Sequence, residues 1–143
     1  MKKLNSIYMD IYYMMRAEPD SAIKLIDKYL NNYKKDMLLL LFKSYIFQMM
    51  GRLNESYDVA NQLVKNYPSN YEGYQQVAEL KRDMGKYMDS LKYYDIALSI
   101  LKNMAKDTLR KDDKKVILIF TEEINKEILV TKTLIKSKIY KHK

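Results

Sequence analysis

The feature that most constrains this chain is a period. Sliding the sequence against itself by 34 residues brings Gly51 onto Gly85, with Ala17 one interval earlier. Small residues recur at Ala22, Ser56 and Ser90. Apolar ones recur at Tyr29, Leu63 and Ala97, and again at Leu30, Val64 and Leu98. Tyr33 falls on Tyr67 and then on Leu101. A fixed period of this length marks one supersecondary element repeated, each copy too small to bury its own apolar face. Three copies follow, over 3–36, 37–70 and 71–104.

Each copy reads as two helices. In the third, Tyr74, Val77, Ala78 and Lys81 have helical spacing, and so do Tyr87, Leu91, Tyr94, Ala97, Leu98 and Leu101. Gly85 lies between them, where a left-handed helix stop is needed. Ser69-Asn70-Tyr71-Glu72, after Pro68, predicts a capping box and a helix start. Pro19 suits the first turn of a second helix, where its missing N–H costs nothing. With only 3 Gly and 2 Pro in 143 residues, the chain lacks the tight turns of an all-β fold.

The chain resembles the tetratricopeptide repeat (TPR) family. The resemblance rests on the period and on local residues. In the third copy these are Tyr74, Val77, Ala78, Gly85, Tyr87, Ser90, Tyr94, Ala97 and Leu98. The second keeps Ser44, Phe47, Gly51, Ser56, Leu63 and Pro68, and the first keeps Tyr13, Ala22 and Leu30. It covers about 104 of the 143 residues. Asp10 and Lys43 depart from it, standing where the family has a small and a leucine-like residue. The implied fold is all-α: a right-handed solenoid of three helical hairpins, over 1–104, with a long C-terminal helix in 105–143. Lys43 is expected to lay its methylenes on the core and keep its ammonium wet.

In TPR-like stacks the first helices of successive hairpins line a concave surface. The resemblance assigns to it Ile7, Tyr8, Ile11 and Met15, then Leu38, Leu41, Phe42, Tyr45 and Met49, with Gln48 beside them. The third hairpin contributes Glu72, Gln75, Gln76, Glu79 and Asp83. The first two-thirds of the surface is thus aliphatic, aromatic and Met-rich, and the last third polar. A helix that is apolar nearly all round, as 37–50 is, calls for cover on nearly every side. Methionine adapts to varied partners. Many TPR proteins grip a peptide carboxylate with Lys, Asn and Arg on this surface. Ile7, Ile11, Leu41 and Tyr45 stand there instead, so that clamp is not expected.

The last third carries the charge. Residues 1–104 hold 15 Lys+Arg and 12 Asp+Glu, whereas 105–143 hold 11 and 6, with five lysines and no acid after Glu127. A fourth repeat would pack through Thr108, Lys111, Asp112 and Lys115, which are polar, so the array stops at three. The third hairpin's second helix is expected to run on through Leu101, Met104, Ala105, Thr108 and Leu109. Asp112 or Asp113 offers the next N-cap. From there Ile117, Phe120, Ile124, Ile128, Thr131, Ile135 and Ile139 form one stripe with a period near 3.67. This predicts an amphipathic helix that caps the array, dimerises, or meets a membrane or nucleic acid. A strand over 116–120 is the local alternative.

Much chemistry is excluded. No cysteine is present, and the single histidine is His142. The glycines at 51, 73 and 85 are isolated, so no phosphate loop exists. Asp112-Asp113 and Glu122-Glu123 are adjacent on a helix and do not face one another. Arg16, Arg52, Arg82 and Arg110 are scattered, which argues against a nucleic-acid reader. No apolar run approaches the ~20 residues of a membrane span. Lys2 and Lys3 precede Asn5, Ser6 and Asp10, not the apolar core of a signal peptide, so a cytoplasmic protein is expected. The sequence therefore points to a non-catalytic adaptor or chaperone-like scaffold. It would need no cofactor or metal and would bind another protein's apolar peptide or helix. Small bacterial secretion chaperones of TPR type resemble it in size and repeat number, although those are expected to be acidic. The alternatives are a homo-oligomer joined through the C-terminal helix, or a regulator whose basic end contacts nucleic acid.

Overall fold

The computed structural model describes residues 3–141. Lys2, His142 and Lys143 lie outside the described residues. Seven helices follow in order: α1 (Leu4–Met14), α2 (Pro19–Leu30), α3 (Met37–Met49), α4 (Leu53–Asn66), α5 (Tyr71–Asp83), α6 (Tyr87–Asp107) and α7 (Lys111–Lys141). Among the described residues there is no strand, and 116–120 is helical. The chain forms two compact units, the first ending at Pro68 and the second beginning at Ser69.

The first unit holds the hairpins α1/α2 and α3/α4. Its core is built by Ile7 and Ile11 of α1, Ala22 and Ile26 of α2, and Leu39 and Ile46 of α3. A second cluster joins Leu40, Leu41 and Phe47 of α3 to Val59 and Leu63 of α4. The α3/α4 crossing is close because both contact residues are small. Ser44 Oγ donates to the Ser56 carbonyl at 3.0 Å, and Ser56 Oγ donates to the Ser44 carbonyl at 2.6 Å. Both hydroxyls are fully buried, and these bonds satisfy them.

Gly51 ends α3 at φ +75°, with Arg52 N–H donating to the Phe47 carbonyl and Gly51 N–H to the Gln48 carbonyl. This is a Schellman stop, which needs the left-handed region that glycine occupies without a Cβ clash. The α1/α2 turn has Ala17 at the matching position and no residue of positive φ. There Glu18 N–H bonds the Met14 carbonyl instead. Pro19 is the first residue of α2, as its spacing predicts. Lys43 lies along the helix surface with its ammonium 2.7 Å from Asp27 and 5.9 Å from the Phe47 ring centre.

The second unit holds the α5/α6 hairpin and α7. Asn70, not Ser69, is the N-cap of α5: its side chain accepts from Glu72 N–H at 2.8 Å. Gly85 repeats the Schellman stop at φ +79°, with Lys86 N–H on the Lys81 carbonyl. α6 runs on past residue 104 to Asp107, short of the expected end: Thr108 is its C-cap and Leu109, 95% exposed, lies beyond the apolar face. Ile117 and Ile124 of α7 join Ala78, Tyr94, Ala97 and Leu101 in one core. Tyr71 and Phe120 pack with ring centres 5.5 Å apart. Arg82 Nη1 reaches Glu127 Oε2 at 2.5 Å. α7 thus covers the third hairpin and runs parallel to α5.

Candidate functional site

The ten residues that the first two hairpins give to the concave surface fall in the first unit, and the structure separates them into two sets. Ile7, Ile11 and Leu41 are buried, at 1%, 0% and 3% exposure. They are core, already covered by their own chain, and offer no surface to a ligand. Tyr8, Met15, Leu38, Phe42, Tyr45 and Gln48 are half-buried, and Met49 is 51% exposed. These seven lie on flanks of α1 and α3 beside the core stripe rather than on it.

On α3 the strip is Leu38, Phe42, Tyr45 and Met49, spaced four, three and four residues apart, which is one face of a helix. On α1 it is Tyr8, Tyr12 and Met15. Tyr12 is missing from the sequence assignment although it is 57% exposed and one turn from Tyr8. Its spacing from Tyr8 was the signal that could have found it.

The two strips meet. The Tyr8 and Phe42 rings pack edge to face with centres 6.4 Å apart. Tyr8 also donates its hydroxyl to Asp36 Oδ2 at 2.6 Å, while Asp36 Oδ1 caps α3 by accepting from Leu39 N–H at 2.9 Å. One carboxylate therefore fixes the start of α3 and the aromatic ring on α1 beside it. Burial, then the hydrogen bond and negative charge of Asp36, push the Tyr8 phenol well above its ordinary pKa, so it stays a neutral donor. Farther along, Met15, Met49 and Met50 with Arg16 and Pro19 line a cavity of about 290 Å³. The face is apolar and aromatic, with flexible thioethers at one end.

In the second unit, α5 places Glu72, Glu79 and Asp83 where α3 has Leu38, Tyr45 and Met49, whereas Gln75 falls on the core position of Leu41. Gln76, assigned to the same surface by the sequence, is instead buried at 1% exposure. Burial raises the pKa of the Glu72 carboxyl. Among the described residues no group of carboxylates or histidine is arranged to hold a metal. No helix of the described residues is long and apolar enough to cross a membrane.

No protein-family model matches the chain, and no curated protein matches it in sequence. Solved structures do. The type III secretion translocator chaperone SycD of Yersinia enterocolitica, in an alternative dimer, is similar at TM-score 0.69 and 14% identity, over 90% of this chain and 93% of that one. A crystal structure of SycD in complex with a peptide of the translocator YopD is similar at TM-score 0.66 and 13% identity, over 90% and 94%. The Sgt2 TPR domain from Aspergillus fumigatus is similar at TM-score 0.62 and 16% identity, over 86% and 79%. At such identities the likeness is one of fold. The chain has a TPR-like helical-repeat fold, all-α throughout its described residues.

Proposed function

We propose that this protein is a non-catalytic adaptor or chaperone-like scaffold that holds an apolar peptide or helix of another protein on the α1/α3 face of its first unit. The observation that carries this reading is the exposed strip of Tyr12 and Met49 continuous with half-buried Tyr8, Met15, Phe42 and Tyr45. Large apolar side chains gathered on one face gain free energy from cover, at about 25 cal/mol per Å². The methionine-lined end would adapt to side chains of different shape. The fold likeness to a chaperone solved with a peptide supports the same reading.

The test is an array of apolar and amphipathic peptides probed with the intact chain. Tyr12→Glu and Met49→Glu are expected to weaken the best binders at least tenfold while leaving the helical circular dichroism spectrum unchanged. Wild-type affinity in both variants would remove the α1/α3 face from the account. A second reading, a homodimer through α7, has support in Val116, Ile119 and Val130, each about half exposed on one flank of that helix. Sedimentation of the intact chain as a monomer at tens of micromolar would remove it.

A further inference from the structure

In the second unit α6 and α7 lie antiparallel, and their seam is open toward both ends. Near one end, Leu98 and Ala105 of α6 and Leu118 of α7 border a cavity of about 530 Å³. Near the other, Met88 of α6 and Ile135 and Ile139 of α7 border one of about 640 Å³. Met88 is 66% exposed, Leu118 56% and Ile139 54%. From Leu118 to Ile139 the α7 axis extends about 30 Å at 1.5 Å per residue. The two apolar cavities therefore lie within the span of one helix of some twenty residues.

Its rim is basic. Lys102 and Lys114 line the first cavity, Lys86 and Lys138 the second. Asp89 is the sole carboxylate lining either, among the described residues. The Lys138 ammonium lies 5.8 Å from the centre of the Tyr87 ring, so the second rim is tied across the seam. The topology says what shape fits. α7 runs parallel to α5, with Phe120 at Tyr71 and Glu127 at Arg82, as the first helix of a following hairpin would. The second helix of that hairpin would lie along the α6/α7 seam.

We propose that the α6/α7 seam is a docking groove for an acidic amphipathic helix of a partner protein, distinct from the α1/α3 face and independent of it. The partner's apolar stripe would cover Met88, Leu118 and Ile139, and its carboxylates would meet Lys86, Lys102, Lys114 and Lys138. Isolated lysines beside apolar cavities suit carboxylates flanking a hydrophobic stripe. Phosphate recognition would favour guanidinium forks, and the seam has none.

The probe is a fluorescein-labelled helical peptide of about twenty residues, with Leu on one stripe and Glu elsewhere. Its twin carries Lys for Glu. Polarisation with the intact chain is expected to show the acidic peptide binding at least tenfold tighter than the twin, with affinity falling as salt rises. Leu118→Asp, and separately Lys114→Glu with Lys138→Glu, should each weaken it at least tenfold, while Met49→Glu leaves it unchanged. The two lysines are exposed, so that pair decides the matter even if Leu118→Asp melts early. Equal affinity for both peptides, or wild-type binding after charge reversal, overturns the proposal. So does a chain whose self-association, or whose adhesion to phosphatidylglycerol vesicles, is what the lysine reversals abolish while the acidic peptide never binds.

Discussion

Where the helices of the second hairpin cross, Ser44 and Ser56 exchange buried hydrogen bonds; 34 residues on, Ser90 donates to the Ala78 carbonyl at 2.7 Å. Both first helices then end in the same glycine stop, at Gly51 and Gly85. The outer strips are unlike. Leu38 becomes Glu72, Tyr45 becomes Glu79 and Met49 becomes Asp83 at the same interval. Positions on which the backbone depends, the close crossing and the left-handed turn, therefore recur. Positions that face outward have diverged from apolar in α3 to acidic in α5. A repeat scaffold fixes where a surface lies and leaves its chemistry free.

The largest effect should come from the second unit's dependence on α7. Ending the chain at Arg110 uncovers the surface that Ile117, Ile124 and Phe120 occupy. The loss should be of the order of 5 kcal/mol, at 1.5–3 kcal/mol for each fully buried side chain. Hydrogen exchange should show α5 and α6 losing protection; unchanged protection there would mean that α7 is dispensable to its unit.

Next in size is a contrast within α3. Leu41→Glu puts a carboxylate into the core and should cost about 3 kcal/mol or more in urea denaturation. Met49→Glu, on the exposed strip, should stay within about 0.5 kcal/mol of wild type. Equal costs would erase the division between core and face.

The two glycine stops should respond alike. No atom lies within 4 Å of a Cβ built at Gly51 or Gly85, so alanine there meets no neighbour. The cost is the backbone's alone, about 1 kcal/mol at each position. A clearly larger loss at one of them would show that the hairpins are less alike than their geometry.

The last effect is confined to alkaline pH. Burial, then the charges of Glu72 and Glu123, push the Tyr71 phenol from 10.0 up to about 12. Between these values the unfolded chain loses a proton that the folded chain keeps. Tyr71 thus contributes stability that is full below pH 10 and lost as pH rises toward 12. Tyr71→Phe should flatten this part of the stability profile, and an unchanged slope would contradict the burial of the phenol.

The hairpins, their period and both glycine stops were legible because each is a local demand on the backbone. So was the α6 extension as far as Asp107, since a continuous apolar face shows in spacing, but not its stop before Thr108 and Leu109. The face was harder. In α3, Leu38, Leu41, Phe42 and Tyr45 are all apolar or aromatic, and hydrophobicity alone cannot tell the covered Leu41 from the half-covered others. The same holds on α1, where hydrophobicity does not separate the covered Ile7 and Ile11 from the flank that carries Tyr8 and Tyr12. Asn70 took the cap from Ser69 because both offer a suitable oxygen, and only the backbone path chooses between them. The Lys43–Asp27 pair and the Tyr8–Asp36 bond join residues 16 and 28 positions apart, which no local pattern encodes.

The most direct test of the account uses its methionines as reporters. Met15 and Met49 sit on the α1/α3 face, and Met88 and Met104 are exposed in the second unit. With ¹³C-methyl methionine in the intact chain, an uncharged apolar peptide selected from the array would be titrated and each methyl signal followed. The account predicts saturable shifts at Met15 and Met49, absent in Tyr12→Glu, with Met88 and Met104 unmoved. Shifts at Met88 and Met104 while Met15 and Met49 stay fixed would contradict it.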